Sequence, residues 1–460
     1  METLPPVIPA NRGQLRAAAV PPAVLRLATR LRQAGGEAWL VGGAVRDLLL
    51  ARAVNDWDLT TDLLPERVSE IFPRTHEFGI RFGTVVVIEA GTPYEITTFR
   101  RDGVYTDARR PDEVQFTRSL DEDLIRRDFT INALAWDPLQ DRLHDPTSGL
   151  DDLAAGRLRA VGDPEQRFQE DGLRLLRAVR FRAQLDFEIE RDTYRALLLC
   201  APRIERIALE RVREELDKLL AAPRPASALD LLHETGLLRR VLPELAACAG
   251  VPQNPHHAFD VFYHSLAAVD MAPADDAVVR MSALLHDLGK PACREEKEGT
   301  ASFYAHQIVG ERLAETILRR LRYPNEMRTR VRHLVRLHMF HYRPEWTDSA
   351  VRRFLREIGP ENLEDLFSLR AADTLGNGLR RRLAPELKEL RGRIEAELAR
   401  QSALSLRDLA VNGADVMELL AIGPGPRIGA VLHTLLQEVL DDPTLNERER
   451  LRERVREIGA

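Results

Sequence analysis

The segment LVGGAVRDLLLARAVNDWDLTTD (residues 40–62) decides the N-terminal fold. It predicts a short strand that ends at Gly42 and Gly43, then a helix, then a second strand that carries Asp56 and Asp58. Two glycines at a strand-to-helix turn let backbone N–H groups approach a phosphate closely. Because the two aspartates stand two residues apart, a strand turns both carboxylates to one side. Paired carboxylates of this kind bind Mg²⁺ ions, which hold a triphosphate and activate an attacking hydroxyl.

A third carboxylate on a neighbouring strand would complete such a metal site. The stretches TVVVIEAG (84–91) and YEITTFR (94–100) predict a hairpin joined by Gly91-Thr92-Pro93, and Glu95 in its second strand is placed for that role. A plain ion pair within the hairpin explains Glu95 almost as well. An Asp-x-Asp pair alone is most often a solvated loop, but the double glycine that precedes it makes a nucleotide site the stronger interpretation.

The pattern along the chain divides it into two kinds of structure. Strand and helix signals mix until about residue 150, after which strand signals largely vanish and proline and glycine punctuate a helical chain. The predicted fold class is therefore an α+β N-terminal part followed by all-α parts. The expected boundaries are a flexible tail (1–20), a mixed α/β domain (21–150) and three helical regions (151–225, 226–380 and 381–460).

Composition bounds the class of protein. The 460 residues are 44% hydrophobic and 30% charged, with a formal net charge of −6, which is typical of a soluble globular protein and argues against a uniformly basic nucleic-acid binder. No stretch approaches the roughly 18 apolar residues of a membrane span, so we expect no membrane partner. The N-terminus lacks the basic start and apolar run of a signal peptide. Cys200, Cys248 and Cys293 form no C-x-x-C pair, which favours a cytoplasmic location.

Three further stretches extend the pattern of the double glycine and the Asp-x-Asp pair. They are RRDGVYTDARRPDEVQF (100–116), EDLIRRDFTINALAWDP (122–138) and EDGLRLLRAVRF (170–181). In this order the five motifs resemble the class II tRNA nucleotidyltransferases, or CCA-adding enzymes, and their bacterial poly(A) polymerase relatives. Both groups belong to the nucleotidyltransferase superfamily of DNA polymerase β. One small departure is Ala51, where the family often has glycine.

The resemblance gives the predicted domains their expected identities. Residues 21–150 would form a nucleotidyltransferase head, with the mixed sheet and helices of the polymerase β type. Residues 151–225 would form a neck that carries the base-recognition helix, 226–380 an HD domain, and 381–460 a helical tail that binds tRNA. In that tail, Arg427 after a Gly-Pro-Gly-Pro turn would seat a phosphate, unless the turn only connects two helices.

Asp171 and Arg174 take from this resemblance the role of a protein template for the incoming base. An aspartate accepts hydrogen bonds and an arginine donates them, whereas cytosine and adenine each offer an amino group beside a ring-nitrogen acceptor. Guanine and uracil would leave buried polar groups unpaired, which is costly. We expect both residues on one helix face at i and i+3, with Glu170 orienting them. The alternative is an ordinary helix ion pair worth roughly 0.2–0.5 kcal/mol.

The other motif residues receive roles in the same way. Asp56 and Asp58 would hold catalytic Mg²⁺, with Glu95 as the third catalytic carboxylate. The residues that would contact the triphosphate, ribose or base are Gly42, Gly43, Arg46, Arg127, Asp128, Asn132, Asp171, Arg174, Arg177 and Arg180. Asp107, Arg109 and Arg110 lie in what resembles a flexible loop that helps specificity switch from C to A. Arg177 and Arg180 would otherwise be solvated arginines on the outer face of their helix.

A second group of chemically suited residues surrounds MSALLHDLGKP (281–291). Eight of the twelve histidines fall between residues 256 and 341, and a His-Asp pair can share a divalent transition ion. The order of these residues resembles the HD phosphohydrolase domain. That resemblance implies a divalent metal (Ni, Mn, Co or Fe) held by His264, His286, Asp287 and Asp373. His306 and His333 are expected at a second metal and Lys290 at a phosphate.

The sequence therefore predicts template-independent addition of C and A nucleotides to the 3′ end of tRNA. CTP and ATP would be the donors, pyrophosphate would leave, and two Mg²⁺ ions would assist. The HD domain would hydrolyse 2′,3′-cyclic phosphate or phosphomonoester ends, or would be a relic that only carries the tRNA. The rival predictions are an A-adding specialist, a poly(A) polymerase, and, from another class, an HD phosphohydrolase with a degenerate head. The oligomeric state is left open.

Overall fold

The computed structural model describes residues 15–76, 82–102, 114–254, 257–297, 300–380, 382–400 and 405–459. Contacts between residues divide the chain into two units, Met1–Pro243 and Glu244–Ala460. The predicted fold class is confirmed, because a mixed sheet with helices comes first and the remainder is largely helical. The finer division into tail, head, neck, HD domain and C-terminal region stays a prediction. None of the helices in the described ranges combines the length and the apolar character that a membrane span needs.

The strands of the described ranges are numbered β1–β13 in chain order. Their bounds are Trp39–Val41, Leu59–Thr61, Thr75–His76, Thr84–Glu89, Thr92–Thr98, Arg100–Asp102, Val114–Phe116, Ala135–Asp137, Arg142–His144, Arg157–Leu158, Glu188–Ile189, Glu295–Lys297 and Thr300–Ser302. Only the last four lie after residue 150, and they form two small two-stranded ribbons, as the loss of strand signals predicted.

The helices are numbered α1–α22 in the same way. The first twelve are Pro22–Gln33, Gly43–Leu49, Pro65–Ile71, Leu120–Ile125, Gly149–Ala154, Pro164–Glu170, Leu173–Leu185, Arg191–Cys200, Leu209–Leu220, Pro225–Glu234, Leu238–Val241 and Pro243–Ala246. The other ten are Val261–Met271, Ala277–Leu285, His306–Arg320, Asn325–Leu337, Asp348–Ile358, Leu363–Gly376, Pro385–Ala399, Gly413–Leu420, Pro426–Asp441 and Arg448–Gly459.

One seven-stranded sheet forms the centre of the N-terminal unit, in the order β3-β4-β5-β2-β1-β8-β9. Its neighbouring strands are antiparallel except for β2 and β5, which run parallel with Leu59 beside Ile96. Both of these residues are fully buried. Because the register advances one residue at a time, the residues just before them, Asp58 and Glu95, also come side by side. The sheet thus joins two acidic residues that lie far apart in the sequence.

The predicted hairpin forms, but its turn differs from the expectation. In the pairing of β4 with β5, Glu89 faces Thr92, so Ala90 (φ 52°) and Gly91 (φ 83°) make a two-residue turn. The expected turn at Gly91-Thr92-Pro93 is therefore wrong, since Thr92 and Pro93 belong to β5. Proline is tolerated there because β2 pairs with β5 only from Ile96 onward, so that side of the strand needs no N–H donor.

Asp171 lies between two helices rather than within one. Helix α6 ends at Glu170, Asp171 is extended (φ −140°, ψ 106°), and α7 begins at Leu173. A Cβ on Gly172 would stand 3.0 Å from the carbonyl oxygen of Arg203, so the backbone at Arg203 packs directly against this break. The expectation that Asp171 and Arg174 share one face of a continuous helix is therefore wrong.

In the C-terminal unit, helices α13, α14, α16 and α18 pack against one another. The last three helices enclose a separate apolar cluster that includes Val431, Leu435, Leu451 and Val455. Helix α21 begins at Pro426, directly after Gly425, as the Gly-Pro-Gly-Pro turn predicted.

Candidate active site and a histidine–aspartate cluster

A cavity of about 650 Å³ in the N-terminal unit contains most of the predicted nucleotide-binding residues. We call it the nucleotide cavity. The predicted residues that line it are Gly42, Gly43, Arg46, Asp56, Asp58, Arg127, Asp128, Asn132, Asp171, Arg174, Arg177 and Arg180. Within the described ranges, Glu95 is the one predicted catalytic residue outside this lining. Asp107, Arg109 and Arg110 lie outside the described residues.

The acidic side of the nucleotide cavity is formed by the Asp-x-Asp pair. Asp56 and Asp58 stand just before β2 rather than inside it, and the Asp58 carbonyl accepts a hydrogen bond from the backbone N–H of Val41. Burial and the nearby negative charges of Glu95 and Asp56 raise the pKa of Asp58 to about 6, although Arg127 opposes the shift. Crowded carboxylate oxygens are the ligands that Mg²⁺ prefers, so this donor set fits that ion.

The wall beside the carboxylates is built on the double glycine. Gly42 has φ 69°, in the left-handed region, and it precedes the first residue of α2. A Cβ at this position would stand 2.9 Å from Nη1 of Arg127, so a substitution would strain the backbone and displace that guanidinium. On α2, Arg46 donates to Oδ1 of Asn132 (2.7 Å) and pairs with Asp47 (2.9 Å). The predicted turn, Arg46, Arg127 and Asn132 thus form one surface.

Asp123, which the sequence interpretation did not single out, organises the arginines of this wall. Its fully buried carboxylate accepts hydrogen bonds from Nη2 of Arg126 (2.8 Å), from Nη2 of Arg127 (3.4 Å) and from the backbone N–H of Arg100 (3.3 Å). Although burial opposes it, the two guanidinium groups hold the pKa of Asp123 below its ordinary value. The spacing of three and four residues from Asp123 to these arginines was the available signal.

The two residues of the predicted template each have a partner of their own. The Asp171 carboxylate accepts from Nη2 (2.7 Å) and Nη1 (3.3 Å) of Arg211. Arg174 donates through Nη1 to Oε2 of Glu170 (2.6 Å) and through Nη2 to the carbonyl oxygen of Arg126 (3.2 Å). Glu170, expected to orient both residues, contacts the arginine. The backbone N–H of Arg174 donates to the carbonyl oxygen of Asp171 (3.0 Å), but among the described residues no hydrogen bond joins the two side chains.

Arg177 and Arg180 also face carboxylates. Arg177 lies 2.6 Å from Oδ2 of Asp128, whose Oδ1 accepts from Nδ2 of Asn132 (3.0 Å). Although burial opposes it, Arg177 and the bond from Asn132 hold the pKa of Asp128 well below its usual range. Arg180 donates to Oε2 of Glu215 at 2.6 Å. The alternative of two solvated arginines on an outer face is wrong, because both line the nucleotide cavity.

Arg211 and Glu215 are the largest omissions of the sequence interpretation. They stand one helical turn apart on α9, whose buried residues include Val212, Leu216 and Leu219. In the sequence, α9 is an ordinary amphipathic helix, and no short motif marks the two charged residues. The packing of α9 against α7 brings Arg211 to the cavity and Glu215 to Arg180.

The C-terminal unit brings six candidate metal ligands together in two groups of three. Within each group the ligand atoms lie within 4.8 Å of one another. The first group is His264, His286 and Asp373, and the second is Asp287, His306 and His338. We call the six residues the histidine–aspartate cluster. All are buried except Asp373, which is partly exposed.

Asp287 lies between the two groups. Its Oδ2 is 3.1 Å from Nε2 of His286 and 3.4 Å from Nε2 of His264, while its Oδ1 is 3.3 Å from Nε2 of His306. The neighbouring His286 and Lys290 hold the pKa of Asp287 well below its ordinary value, although burial opposes the shift. A carboxylate in this position can bridge two metal ions.

The ring orientations suit metal binding. Nδ1 of His286, His306 and His338 lies 2.7–2.8 Å from the carbonyl oxygens of Ala283, Phe303 and Val335, respectively. A ring that donates from Nδ1 to a carbonyl keeps Nε2 as the lone-pair atom, and in all three rings Nε2 points into the cluster. The donor set of imidazole and carboxylate fits a divalent transition ion.

His338 occupies the place that was expected for His333. Nε2 of His333 lies 2.7 Å from the carbonyl oxygen of Ile358, so the prediction that His333 joins a second metal is wrong. The two histidines stand five residues apart at the end of α16, and such a spacing places them on different faces.

Lys290, expected at a phosphate, donates to Asp287 and to Gln253 (2.6 Å) and lines the adjoining cavity.

Comparisons with known proteins cover both units. Residues 38–159 match the family model of the poly A polymerase head domain, 186–248 that of an RNA- and SrmB-binding site of polymerase A, and 293–455 that of tRNA nucleotidyltransferase domain 2. The CCA-adding enzyme of Geobacillus stearothermophilus is 36% identical over 434 residues, which are 93% of this chain and 94% of that protein. The CCA-adding enzyme of Geobacillus thermodenitrificans is 50% identical over 222 residues, 48% of this chain and 54% of its own.

A solved structure agrees with the sequence matches. The crystal structure of the Bacillus stearothermophilus CCA-adding enzyme in complex with CTP superposes with a TM-score of 0.72 at 32% identity. The match covers 95% of this chain and 98% of that one.

Proposed function

The chain belongs to the family of CCA-adding enzymes, which are tRNA nucleotidyltransferases, and from that membership we propose that it adds C and A nucleotides to the 3′ end of tRNA. CTP and ATP are the donors, and pyrophosphate leaves. The observation that carries the proposal is one cavity in which Asp56 and Asp58 share the lining with Asp171 and Arg174. The substrate tRNA and the three free cysteines of the chain favour a cytoplasmic location.

Asp56 and Asp58 are the residues that would hold Mg²⁺, with Glu95 adding negative charge beside Asp58. When bound, the ions supply charge neutralisation for the triphosphate and activation of the tRNA 3′-hydroxyl. Arg46 and Arg127 lie beside the glycine turn, where their guanidinium groups can bind phosphate oxygens in two-point contacts. Asp128 can share its carboxylate with a ribose 2′-hydroxyl, which favours ribonucleotides.

Asp171 and Arg174 keep hydrogen-bonding capacity for a base. A guanidinium has five N–H donors. Arg174 uses three of them, for the carbonyl oxygens of Arg167 and Arg126 and for the carboxylate of Glu170, so two donors remain for a base. The Asp171 carboxylate has about four acceptor sites, of which Arg211 takes two and the backbone N–H of Leu173 takes one, which leaves about one for a base. The amino group of cytosine or adenine can bond to Asp171, and the ring-nitrogen acceptor can bond to Arg174.

Nucleotide addition to three tRNA transcripts tests this function. The transcripts end at the discriminator base, at C and at CC, and each receives CTP alone, ATP alone, or both. We expect all three to be extended to CCA when both nucleotides are present. A added only to the CC-ended transcript would mean an A-adding specialist, and a long A ladder on unrelated RNA would mean a poly(A) polymerase.

As a second function, the C-terminal unit is proposed to hydrolyse phosphate esters with divalent transition ions. His264, His286 and Asp373 would hold one ion, His306 and His338 another, and Asp287 would touch both. The observation that favours this function is the shared orientation of three imidazole rings, each anchored at Nδ1 with Nε2 toward Asp287. Cationic Lys290 and Arg370 line the adjoining cavity, where a phosphate can bind.

We expect the purified chain to bind about two Ni²⁺ or Mn²⁺ ions per molecule at this cluster, as measured by metal analysis after removal of loosely held ions. His286→Ala should lose at least one of them, because its Nε2 is a ligand atom. His333→Ala is the matched control and should keep both, since that ring bonds to Ile358. Equal metal content in the two variants would contradict the site.

A further inference from the structure

An aromatic ring in the nucleotide cavity lies among the guanidinium groups of three arginines. Phe181 lines this cavity from α7 and is 4% exposed. The Cζ atoms of Arg46, Arg177 and Arg180 stand 4.9, 5.3 and 4.0 Å, respectively, from the centre of its ring. A guanidinium within about 6 Å of an aromatic ring is attracted to the electron-rich ring face, and the attraction is stronger where water is excluded. The ring of Phe181 therefore attracts three cations at once.

The contacts at this ring come from separate parts of the chain. Arg177 and Phe181 are four residues apart on α7, so their side chains meet on one face of that helix, and Arg180 directly precedes the ring. Arg46 belongs to α2. The ring itself is held by Phe129, which is fully buried and meets it at 85° with 5.7 Å between the two ring centres. Phe181 thus joins the arginines of two helices on a fixed support.

The ring holds these cations without cancelling their charge. Each of the three arginines also has a carboxylate partner, which opposes its charge and occupies N–H donors. An aromatic ring has no net charge, so its contact leaves the positive charge of the guanidinium in place. Arg180, for example, uses Nε for Glu215 and Nη1 for Gln184, and within the described ranges its Nη2 has no hydrogen-bond partner. Such a donor is available to a ligand of the cavity.

Like charges gathered around one ring favour an anionic ligand. Burial and the nearby charge of Arg177 lower the pKa of Arg180, although Glu215 opposes the shift. Cations that repel one another are stabilised when an anion binds among them. The three arginines line the same cavity as Asp56 and Asp58, the proposed Mg²⁺ ligands. A nucleotide triphosphate, which carries several negative charges and binds Mg²⁺, matches both features.

We propose that Phe181 is a positioning residue for the triphosphate, because its ring gathers Arg46, Arg177 and Arg180 into one cationic surface. The inference rests on the proposed nucleotide addition and assigns a separate task to each end of α7. The template residues at the start of the helix read the base. The ring near its other end sets the affinity for the phosphates, which are the same in CTP and ATP.

The test removes the ring and keeps an apolar side chain, as in Phe181→Leu. We expect KM for CTP and for ATP to rise about 10-fold each while kcat stays within about 3-fold, since the lost contact serves binding in the ground state and the transition state alike. The ratio of kcat/KM for CTP to that for UTP should not change. Phe181→Tyr keeps the ring and should keep both KM values within about 2-fold of those of the natural chain.

Inorganic tripolyphosphate isolates the phosphate contacts, because it has neither base nor ribose. With Mg²⁺ present, its inhibition constant against CTP should rise about 10-fold in Phe181→Leu. Phe187→Leu is the matched control, since Phe187 is a buried ring (2% exposed) just after α7 that does not line the nucleotide cavity. This control should change neither KM nor the inhibition constant, although both leucine variants lose a buried ring and should melt at a lower temperature.

Phe181→Met is measured beside the leucine variant with the same expectation, because its longer side chain fills more of the space and keeps the fold if leucine does not. Unchanged KM values and unchanged tripolyphosphate inhibition would overturn the inference and leave nucleotide addition standing. Equal effects of Phe181→Leu and Phe187→Leu would also overturn it, since they would reflect lost packing alone. A changed ratio of CTP to UTP would place the ring in base recognition instead.

The affinity for tripolyphosphate separates this inference from the function on which it rests. If the natural chain added no nucleotide to any tRNA, nucleotide addition would be wrong, and titration calorimetry with tripolyphosphate would still test the ring. Weaker binding in Phe181→Leu than in Phe187→Leu would support the cationic surface. Equal binding in the two variants would overturn it.

Discussion

Replacing Asp58 with asparagine is expected to abolish nucleotide addition while leaving the binding of tRNA intact. The amide has the shape of the carboxylate but lacks the negative charge that would hold Mg²⁺. Charge stabilisation by a bound metal is worth several kcal/mol, so we expect the rate of addition to fall by about 10³-fold or more. The measurement is single-turnover addition of labelled CTP to a tRNA transcript, together with tRNA affinity by filter binding.

The Asp58 variant should fold as well as the natural chain. Asp58 is a destabilised anion, because burial and the carboxylates of Glu95 and Asp56 raise its pKa, and the substitution removes that repulsion. Asp151→Asn is the matched control, since Asp151 is exposed on α5 and does not line the nucleotide cavity. Addition at the natural rate by the Asp58 variant would remove Asp58 from the catalytic site.

Replacing Asp171 with asparagine is expected to change which base is accepted. Oδ1 of Asp171 accepts from the backbone N–H of Leu173 and from Nη1 of Arg211, so an asparagine there would keep its oxygen in that place and put its NH₂ group in the place of Oδ2. That NH₂ group cannot accept from Nη2 of Arg211, and it offers the base a donor where the aspartate offered an acceptor. An NH₂ group pairs with the carbonyl of uracil and not with the amino group of cytosine. Because hydrogen-bonding sites reject mismatched substrates strongly, the preference for CTP over UTP should fall by about 10²-fold or more.

This preference is measured as the ratio of kcat/KM for CTP to that for UTP. Asp186→Asn serves as the control, because Asp186 is exposed at the C-terminal end of the same helix, α7, where its left-handed backbone also suits asparagine. An unchanged ratio in the Asp171 variant would mean that the base is read by other residues.

The features that the sequence predicted are those that depend on neighbours in the chain. The strand-to-helix turn at Gly42 and the Asp-x-Asp pair are local patterns, and both line the nucleotide cavity, although the two aspartates lie just before β2 and not in it. Asp171 was misplaced because the break before α7 depends on how Gly172 packs against Arg203, thirty-one residues away. A contact between residues that far apart in the chain leaves no periodic pattern in the sequence.

Ion-pair partners were the second feature that could not be predicted from the sequence. Arg211 pairs with Asp171 and Glu215 pairs with Arg180 from a separate helix, α9. The sequence of an amphipathic helix does not show which partner each charged residue contacts. The same holds for the histidine–aspartate cluster, because His333 and His338 are the same residue type and either could have been a metal ligand. The structure distinguishes them, since His333 bonds to the carbonyl of Ile358 and His338 is anchored to the carbonyl of Val335.

Every arginine that lines the nucleotide cavity is already paired with a carboxylate, and Arg126 and Arg127 share that of Asp123. The pairs are Arg46–Asp47, Arg126–Asp123, Arg127–Asp123, Arg174–Glu170, Arg177–Asp128, Arg180–Glu215 and Arg211–Asp171. An incoming triphosphate must compete with these internal anions, so its net attraction is far smaller than seven positive charges suggest. Very tight binding of the triphosphate would not speed nucleotide addition, and it would slow the release of pyrophosphate. An enzyme that reloads its cavity for each nucleotide of a CCA end gains from a pocket that empties quickly.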